Sequence, residues 1–308
     1  MRIAELEPRS ASDEQLLAMH AIESACLREM IPADPGRAAD EAVAFYRHVP
    51  ATQTNVYWLA DDAGAAMLFF HAATAAYAQL YVEPVHRRRG VATSLLERVA
   101  ARARELGATR LYASHATAAG AAFARHVGAI EIQREVKSVL DLTTAELPEP
   151  DPPAGWDLAT WVGRVPDEHV ESYARARAAM DDAPGDAGHP GPSVERIRAS
   201  EEALRRRSRE MRLTVALLDD EVGAFTELRL SSGAAAGFTD DTGTAAAHRG
   251  LGLATAVKRE SLRRFRADHP DVRLVTTSND ETNEAMLSVN RKLGFVPAAT
   301  FTRSALNL

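Results

Sequence analysis

The sequence has few of the features that mark secreted or membrane proteins. Its 308 residues include a single cysteine, Cys26, so no internal disulfide can form. This fits a reducing compartment, and we expect a cytoplasmic protein. No run of about 18 apolar residues is present, which argues against a membrane-spanning helix. The opening residues Met1–Gln15 are too polar for a secretory signal peptide.

Several other function classes lack their signatures. The net charge of −7 argues against nucleic-acid binding and mildly favours cationic small-molecule substrates. No Gly-x-Gly-x-x-Gly follows an early strand, and neither Gly-Lys-Ser/Thr nor Gly-x-Ser-x-Gly occurs, which disfavours dinucleotide binding, a P-loop and a serine hydrolase. The ten histidines form no His-x-x-x-His pair and have no cysteine partner, so we expect no metal site.

One short pattern occurs twice. His86–Leu96 and His248–Lys258 each contain Arg-x-x-Gly-x-Ala, follow a strand-like run and open a helical pattern. A glycine-rich turn before a helix presents unpaired backbone N–H groups and the positive end of the helix dipole. Both segments are therefore predicted to bind phosphate groups.

The repeat extends beyond these turns. Each is followed by a helix, a strand and a second helix that ends in Gly128 or Gly294, with similar spacing. At this length, two domains of about 150 residues are expected. We predict a first lobe at residues 1–145, a Pro-rich linker at 146–156 and a second lobe at 157–308. Because strands outnumber the needs of a simple βαβ repeat, we predict an α/β fold in which each lobe is a mixed, mostly antiparallel sheet flanked by helices.

The doubled signature and the order of elements resemble the GNAT superfamily of acyl-CoA-dependent N-acyltransferases, and the second half resembles its tandem actinobacterial members more closely than the first. The resemblance implies that acetyl-CoA, or another short acyl-CoA, lies where the fourth and fifth strands of a lobe part, with its pyrophosphate on the turn. The residues implied as acyl-CoA contacts in the second lobe are Thr242, Gly243, Thr244, Arg249, Gly250, Leu251, Gly252, Leu253, Ala254, Thr255, Asn283 and Asn290. Those in the first lobe are Val82, Arg87, Arg88, Arg89, Gly90, Val91, Ala92 and Thr93.

The resemblance also implies a carboxylate that takes the proton of the substrate amine, on the strand before the turn. Asp240 and Asp241 lie on this strand in the second lobe, and Glu227 lies on the preceding one. The matching strand of the first lobe has no acid. We therefore expect the second lobe to be catalytic, and the first to be degenerate but able to hold an acyl-CoA. The family's tyrosine acid is missing from both halves, so no residue is assigned as the general acid.

The predicted reaction is the direct transfer of an acetyl group from acetyl-CoA to a primary amine of a small molecule. The loop Met180–Ser193 carries Asp181, Asp182 and Asp186, which favour a cationic acceptor such as an aminoglycoside, a polyamine or an amino-sugar. The alternative is a non-catalytic CoA-binding or regulatory protein of the same fold. Neither nucleic acid nor membrane is expected as a partner, and the sequence leaves monomer and homodimer open.

Overall fold

The structure is a computed structural model. It describes residues 1–32, 36–49, 53–71, 75–178, 193–206, 209–231, 234 and 236–308. Contacts divide the chain into two units: the first comprises Met1–Glu135 and Ala299–Leu308, and the second comprises Val136–Ala298. None of the helices in the described part of the chain combines the length and hydropathy needed to span a lipid bilayer.

The first unit alternates helices with the strands of one sheet. Its helices are α1 (Asp13–Met30), α2 (Ala39–Arg47), α3 (Val91–Glu105) and α4 (Ala118–His126). Its strands are β1 (Ile3–Leu6), β2 (Gln53–Ala60), β3 (Gly64–His71), β4 (Ala75–Val82), β5 (Arg110–His115) and the beginning of β6 (Ile130–Asp141). Residues 299–307 at the end of β12 (Val296–Asn307) also belong to this unit.

Pairing in the first sheet is mostly antiparallel. Strands β1 to β4 pair in sequence order as antiparallel neighbours, β4 pairs with β5 in parallel, and β12 lies antiparallel to β5. The parallel pairing of β4 and β5 covers only Ala75–Tyr77 opposite Arg110–Tyr112. The two strands are therefore unpaired with each other towards their carboxyl ends, before the first predicted phosphate turn.

The second unit repeats this plan. Its helices are α5 (Val170–Arg177), α6 (Val194–Arg206), α7 (Leu253–Asp268) and α8 (Glu284–Lys292). Its own strands are β7 (Asp157–Val162), β8 (Arg209–Leu218), β9 (Glu221–Ser231), β10 (Ala236–Thr244) and β11 (Leu274–Asp280). Strands β7 to β10 are antiparallel in sequence order, and β10 pairs in parallel with β11. The predicted fold class, with mixed and mostly antiparallel sheets, is confirmed in both units.

Apolar spacing explains how the helix after each turn packs. Val91, Leu95 and Val99 recur along α3 at helical spacing and are all buried in the first core with the inward face of its sheet. In α7, Leu253 and Val257 occupy the same face and are buried against strands of the second unit. This burial holds the amino end of each helix at the carboxyl end of the preceding strand.

Glycine ends the repeated helices by one mechanism. Gly107, Gly128 and Gly294 have φ of +88°, +75° and +89° after α3, α4 and α8. In each case the next residue's N–H returns to a carbonyl in the last helical turn, as in Phe295 N–H to the Asn290 carbonyl at 3.0 Å. This is the Schellman arrangement, which needs a left-handed residue and so favours glycine.

Residues 146–156, predicted as the linker, lie within the second unit. Leu147 is buried in a core with Leu140 and Phe295, and Trp156 is buried against Leu253. The ends of this Pro-rich segment thus carry apolar side chains that pack into the unit that follows it in sequence.

Candidate active site

The two predicted phosphate turns have the same backbone architecture. Each strand, β4 or β10, leads into a short 3₁₀ helix, Pro84–His86 or Ala246–His248. The signature arginine that follows turns back on the strand. Arg87 Nε donates to the carbonyl of Val82 at 3.2 Å, and Arg249 Nε donates to that of Thr244 at 3.4 Å. The arginine therefore braces the turn against the last residue of the strand.

The second turn has the backbone of an anion site. Gly250 and Gly252 have φ of +82° and +80°, and Gly252 is the N-cap of α7. Such a run of left-handed and right-handed residues directs successive N–H groups into one concavity. A Cβ built on either glycine would meet no other atom within 4 Å, so the space over the turn is open. The residues present therefore fit the diphosphate of an acyl-CoA.

The first turn is similar but has an arginine at one left-handed position. Arg88 has a φ of +63°, and Gly90, the N-cap of α3, has a φ of +82°. The Arg87 guanidinium makes a two-point ion pair with Glu29 of α1. This hydrogen bonding raises the pKa of Arg87 and lowers that of Glu29. Part of the positive charge at this turn is thus neutralised by the protein itself.

A cavity of about 710 Å³ adjoins the first turn. Its walls include Cys26 of α1, Val82 at the end of β4, Gly90 of the turn and His115 at the end of β5. Burial raises the pKa of the Cys26 thiol, so at neutral pH Cys26 is a protonated thiol rather than a nucleophile. The cavity lies where β4 and β5 are no longer paired, which is the position expected for an acyl-CoA in the first lobe.

The three predicted acids of the second unit meet in one cluster. The β9–β10 ladder shifts register between Thr239, opposite Leu228, and Thr242, opposite Thr226. Two residues of β10, Asp240 and Asp241, thus occupy the space opposite the single residue Glu227. This β-bulge re-aims side chains locally, as bulges beside functional sites do. In the first unit the β3–β4 ladder runs in regular register from Gly64 opposite Val82 to Phe70 opposite Ala76.

Two arginines hold these carboxylates. Arg229 contacts Glu227 at 2.5 Å and Asp240 at 2.7 Å. Arg177, from α5, contacts Glu227 at 3.4 Å and pairs with Asp241. It also donates to the Tyr173 hydroxyl at 3.0 Å. With all groups ionised, the three carboxylates exceed the two guanidinium groups by one negative charge.

The members of this cluster differ in their ionisation. Burial, and after it the neighbouring charges of Asp241 and Glu227, raise the pKa of Asp240 to about 6, although Arg229 opposes the shift. Glu227 is only 3% exposed, whereas about a quarter of the Asp240 and Asp241 side chains is exposed. Asp240 therefore combines access to solvent with a pKa near neutrality, which suits a general base.

Trp156 packs against the second turn. Its ring packs edge-on against His248, with centroids 4.9 Å apart, and a Cβ added to Gly223 would lie 2.2 Å from the same ring. Since Gly223 O also accepts the N–H of Ala245, this glycine positions both the strand end and the tryptophan.

We expect Gly223→Ala to destabilise the protein by about 1–3 kcal/mol, because the added methyl overpacks a buried ring. The unfolding free energy in urea measures this loss. We also expect weaker acetyl-CoA binding, since Trp156 must move away from His248. An unchanged unfolding free energy contradicts the assigned role of Gly223.

The other predicted acyl-CoA contacts differ in whether their side chains already make hydrogen bonds within the protein. Thr93 and Thr255 lie inside the first turns of α3 and α7, and the Thr242 hydroxyl already bonds that of Thr226 at 2.8 Å. Asn283 caps α8 through Met286 N–H. Asn290 is 2% exposed, and both ends of its amide bond other side chains, so it presents no free polar group to a ligand.

The remaining predicted contacts lie in or next to the turns. They are Gly243 and Thr244 at the end of β10, Leu251, Leu253 and Ala254 at the second turn, and Arg89, Val91 and Ala92 at the first. Residues 180–192 of the predicted acceptor loop Met180–Ser193, with Asp181, Asp182 and Asp186, lie outside the described residues.

Comparison with known proteins gives a family match for part of the chain. Residues 17–129 match the acetyltransferase (GNAT) family, so this stretch is a GNAT acetyltransferase domain. The match lies in the first half, whereas the sequence patterns favoured the second half as the closer relative. No curated protein matches the chain.

Solved structures extend the likeness to the whole chain. A tandem GNAT protein from the clavulanic acid biosynthesis pathway, solved without acetyl-CoA, is 26% identical, with a TM-score of 0.84 over 99% of this chain and 98% of its own. A GCN5-related N-acetyltransferase from Sphaerobacter thermophilus is 18% identical, with a TM-score of 0.74 over 99% and 95% of the two chains. The second of these shows the fold alone. The chain has the architecture of a tandem GNAT protein, as the doubled turn predicts.

Proposed function

We propose that the protein is an N-acetyltransferase that moves an acetyl group from acetyl-CoA to a primary amine of a small molecule. The GNAT domain and the tandem architecture support acyl transfer in general. The finer proposal depends on one observation above all: in the second unit, the bulge that gathers Asp240, Asp241 and Glu227 lies on the strand that leads into the open phosphate turn.

The donor is proposed to bind through the backbone of the second turn. The N–H groups around Gly250 and Gly252, together with the amino end of α7, hold its diphosphate. The thioester then supplies an acyl group activated for attack by an amine. The end of β10, Thr242–Thr244, lies between the turn and the acidic cluster and provides the strand edge along which the donor extends.

The acidic cluster is proposed to bind and deprotonate the acceptor. Its surplus negative charge attracts the ammonium form of the acceptor. This ammonium group must lose a proton before its nitrogen can attack. Asp240, with a pKa of about 6, is ionised at neutral pH and able to accept that proton. Arg229 and Arg177 orient the carboxylates. The first unit, which has the turn but neither the bulge nor an acid on β4, is proposed to hold acyl-CoA without catalysing its transfer.

Thiol release from acetyl-CoA tests this proposal. We expect release that depends on an acceptor when the protein is mixed with aminoglycosides, polyamines, amino acids or cysteinyl amino-sugars. The surplus negative charge of the cluster predicts that cationic amines react best. If acetyl-CoA binds tightly but no amine causes release of the thiol, the result contradicts catalysis and favours a CoA-binding or regulatory role.

A further inference from the structure

A buried amine lies behind the second phosphate turn. Lys258, on α7, is 1% exposed, and its Nζ donates to Asn290 Oδ1 at 2.7 Å. Asn290 Nδ2 in turn donates to Asn279 Oδ1 at 2.6 Å. The Lys258 Nζ also lies 5.3 Å from the centroid of the Phe295 ring. We call the chain Lys258–Asn290–Asn279 the amine relay.

The duplicated fold shows that packing does not require these polar groups. Leu96 stands at the same distance from Gly90 as Lys258 does from Gly252. Ala124 likewise stands in the place of Asn290, counted from the glycine that ends each last helix. In the first unit, Leu96 packs against the main apolar core. The same architecture therefore forms with an apolar side chain at each of these two positions.

Burial of the Lys258 amine is energetically unfavourable. Burying an ammonium group without a carboxylate partner is strongly unfavourable, so such groups are rare outside functional sites. Burial alone lowers the pKa of Lys258 to about 7, and no carboxylate contributes to this shift. The ammonium form of Lys258 is therefore less favoured than that of an exposed lysine, because its surroundings are of low polarity.

The relay ends where the strands part. The pairing of β10 with β11 stops at Thr239 opposite Thr277, and Asn279 lies beyond that point on β11. Strand β10 leads into the phosphate turn, and α7, which carries Lys258, begins at the turn. The amine relay therefore connects the helix that receives the diphosphate to the gap in which the proposed donor thioester lies.

We propose that Lys258, acting through Asn290, positions the amide of Asn279 at this gap and stabilises the negative charge that forms on the leaving sulfur. This inference rests on the proposed function. In the transfer, the amine nitrogen bonds to the acyl carbon, the carbon–sulfur bond breaks, and its electron pair departs on sulfur as a thiolate. Asp240 accepts the first proton, from the ammonium group before the attack, and the second nitrogen proton is released to solvent as the amide forms. Hydrogen bonds in series polarise one another, so a charge on Lys258 strengthens donation by the amide at the far end.

The test compares the wild type with Lys258→Leu and with the double variant Lys258→Leu/Asn290→Ala, which recreates the apolar pair of the first unit. We expect kcat to fall by about tenfold to a hundredfold in both. The KM for acetyl-CoA should stay unchanged, because the phosphate turn is intact. In the double variant the melting temperature should stay the same or rise, since the buried amine and the amide that pairs with it are removed together. Lys258→Leu alone leaves Asn290 Oδ1 buried without its donor and should lower the melting temperature. Leu96→Met is the matched control in the first unit, and it should leave kcat and KM unchanged.

A second readout does not need turnover. The ultraviolet absorbance of the thiolate reports the pKa of the thiol of bound CoA. We expect wild-type protein to lower this pKa, and both variants to return it towards that of free CoA. If the variants lose stability and acetyl-CoA binding together, or if the thiol pKa and kcat do not change, the relay is merely structural and the inference is wrong.

The two readouts separate this inference from the proposed function. A thiol pKa that depends on Lys258, in a protein that transfers acetyl to no amine, supports the relay and contradicts the proposed function. Acceptor-dependent turnover that is the same with lysine or leucine at position 258 supports the function and overturns the relay.

Discussion

Gly252→Trp will reduce acetyl-CoA-dependent turnover by about a hundredfold or more. Gly252 is the N-cap of α7, has a φ of +80° and borders open space, so an indole at this position fills the volume over the turn N–H groups. A tryptophan also resists the left-handed backbone that points those groups at one anion. Steady-state kinetics and equilibrium binding of acetyl-CoA measure the effect, and we expect the loss of turnover to accompany the loss of the acetyl-CoA site of the second unit.

Gly163→Trp is the matched control for this substitution. Gly163 belongs to the same unit, has a φ of +76° and likewise has no atom within 4 Å of an added Cβ, but it lies after β7, outside the turn. It carries the same backbone strain without the phosphate contact. Equal losses from Gly163→Trp and Gly252→Trp contradict a specific role for the turn.

Gly90→Trp makes the comparison between units. If the second unit is the catalyst, this variant should lose much less turnover than Gly252→Trp. Similar losses from the two variants contradict a single catalytic unit.

Asp240→Asn will lower kcat by about a hundredfold to ten-thousandfold, because an amide cannot accept the amine proton. In the wild type, the carboxylate is the active form. Since the pKa of Asp240 is raised to about 6, the kcat/KM for acetyl-CoA should rise as the pH passes upward through about 6 and then level off. The variant should lose this rise. A pH series from acid to neutral, taken with a saturating amine, measures both effects.

Glu221→Gln is the control for the loss of a carboxylate in the same unit. Glu221 lies on β9 and pairs with Arg175 at the surface, away from the bulge. We expect it to keep normal turnover. Full activity in Asp240→Asn, with loss in Asp241→Asn or Glu227→Gln, would transfer the role of base to another member of the cluster. Full activity in all three variants contradicts the acid–base assignment.

The backbone form of the two turns was predictable because their signal is local. Arg-x-x-Gly-x-Ala specifies a brace, a left-handed residue and a helix start within a few residues, and the structure forms all three at Arg249 and Gly252. The grouping of Asp240 with Asp241 was also predictable, because they are adjacent on one strand. The helix stop at Gly107 follows from its lack of a Cβ.

Other parts of the site depend on contacts that are distant in sequence. Nothing in the neighbourhood of Glu227 indicates that Arg177 reaches it from α5, or that a bulge brings Asp240 and Asp241 opposite it. The last ten residues join the first unit through strand pairing, which the periodicity of a single segment does not reveal. Lysine is usually exposed, so the sequence does not indicate that Lys258 is buried. Only its position in the folded structure shows this.

The resemblance assigned Asn290 to the acyl-CoA contacts by its distance from Gly294. In the structure this asparagine faces the protein interior and connects Lys258 to Asn279. A position counted along a helix predicts which face a residue occupies but not whether a neighbouring side chain already uses its hydrogen bonds. In the first unit, Leu96 and Ala124 stand at the positions of Lys258 and Asn290, so the hydrogen bond between these two side chains is specific to the second unit.

Acetyl transfer to an amine is tested most directly by mass spectrometry of the acceptor after incubation with acetyl-CoA. We expect an acceptor that gains one acetyl group on an amine nitrogen, at a rate that depends on Gly252 and Asp240. An acceptor that stays unmodified in every mixture, while the protein binds acetyl-CoA, contradicts it.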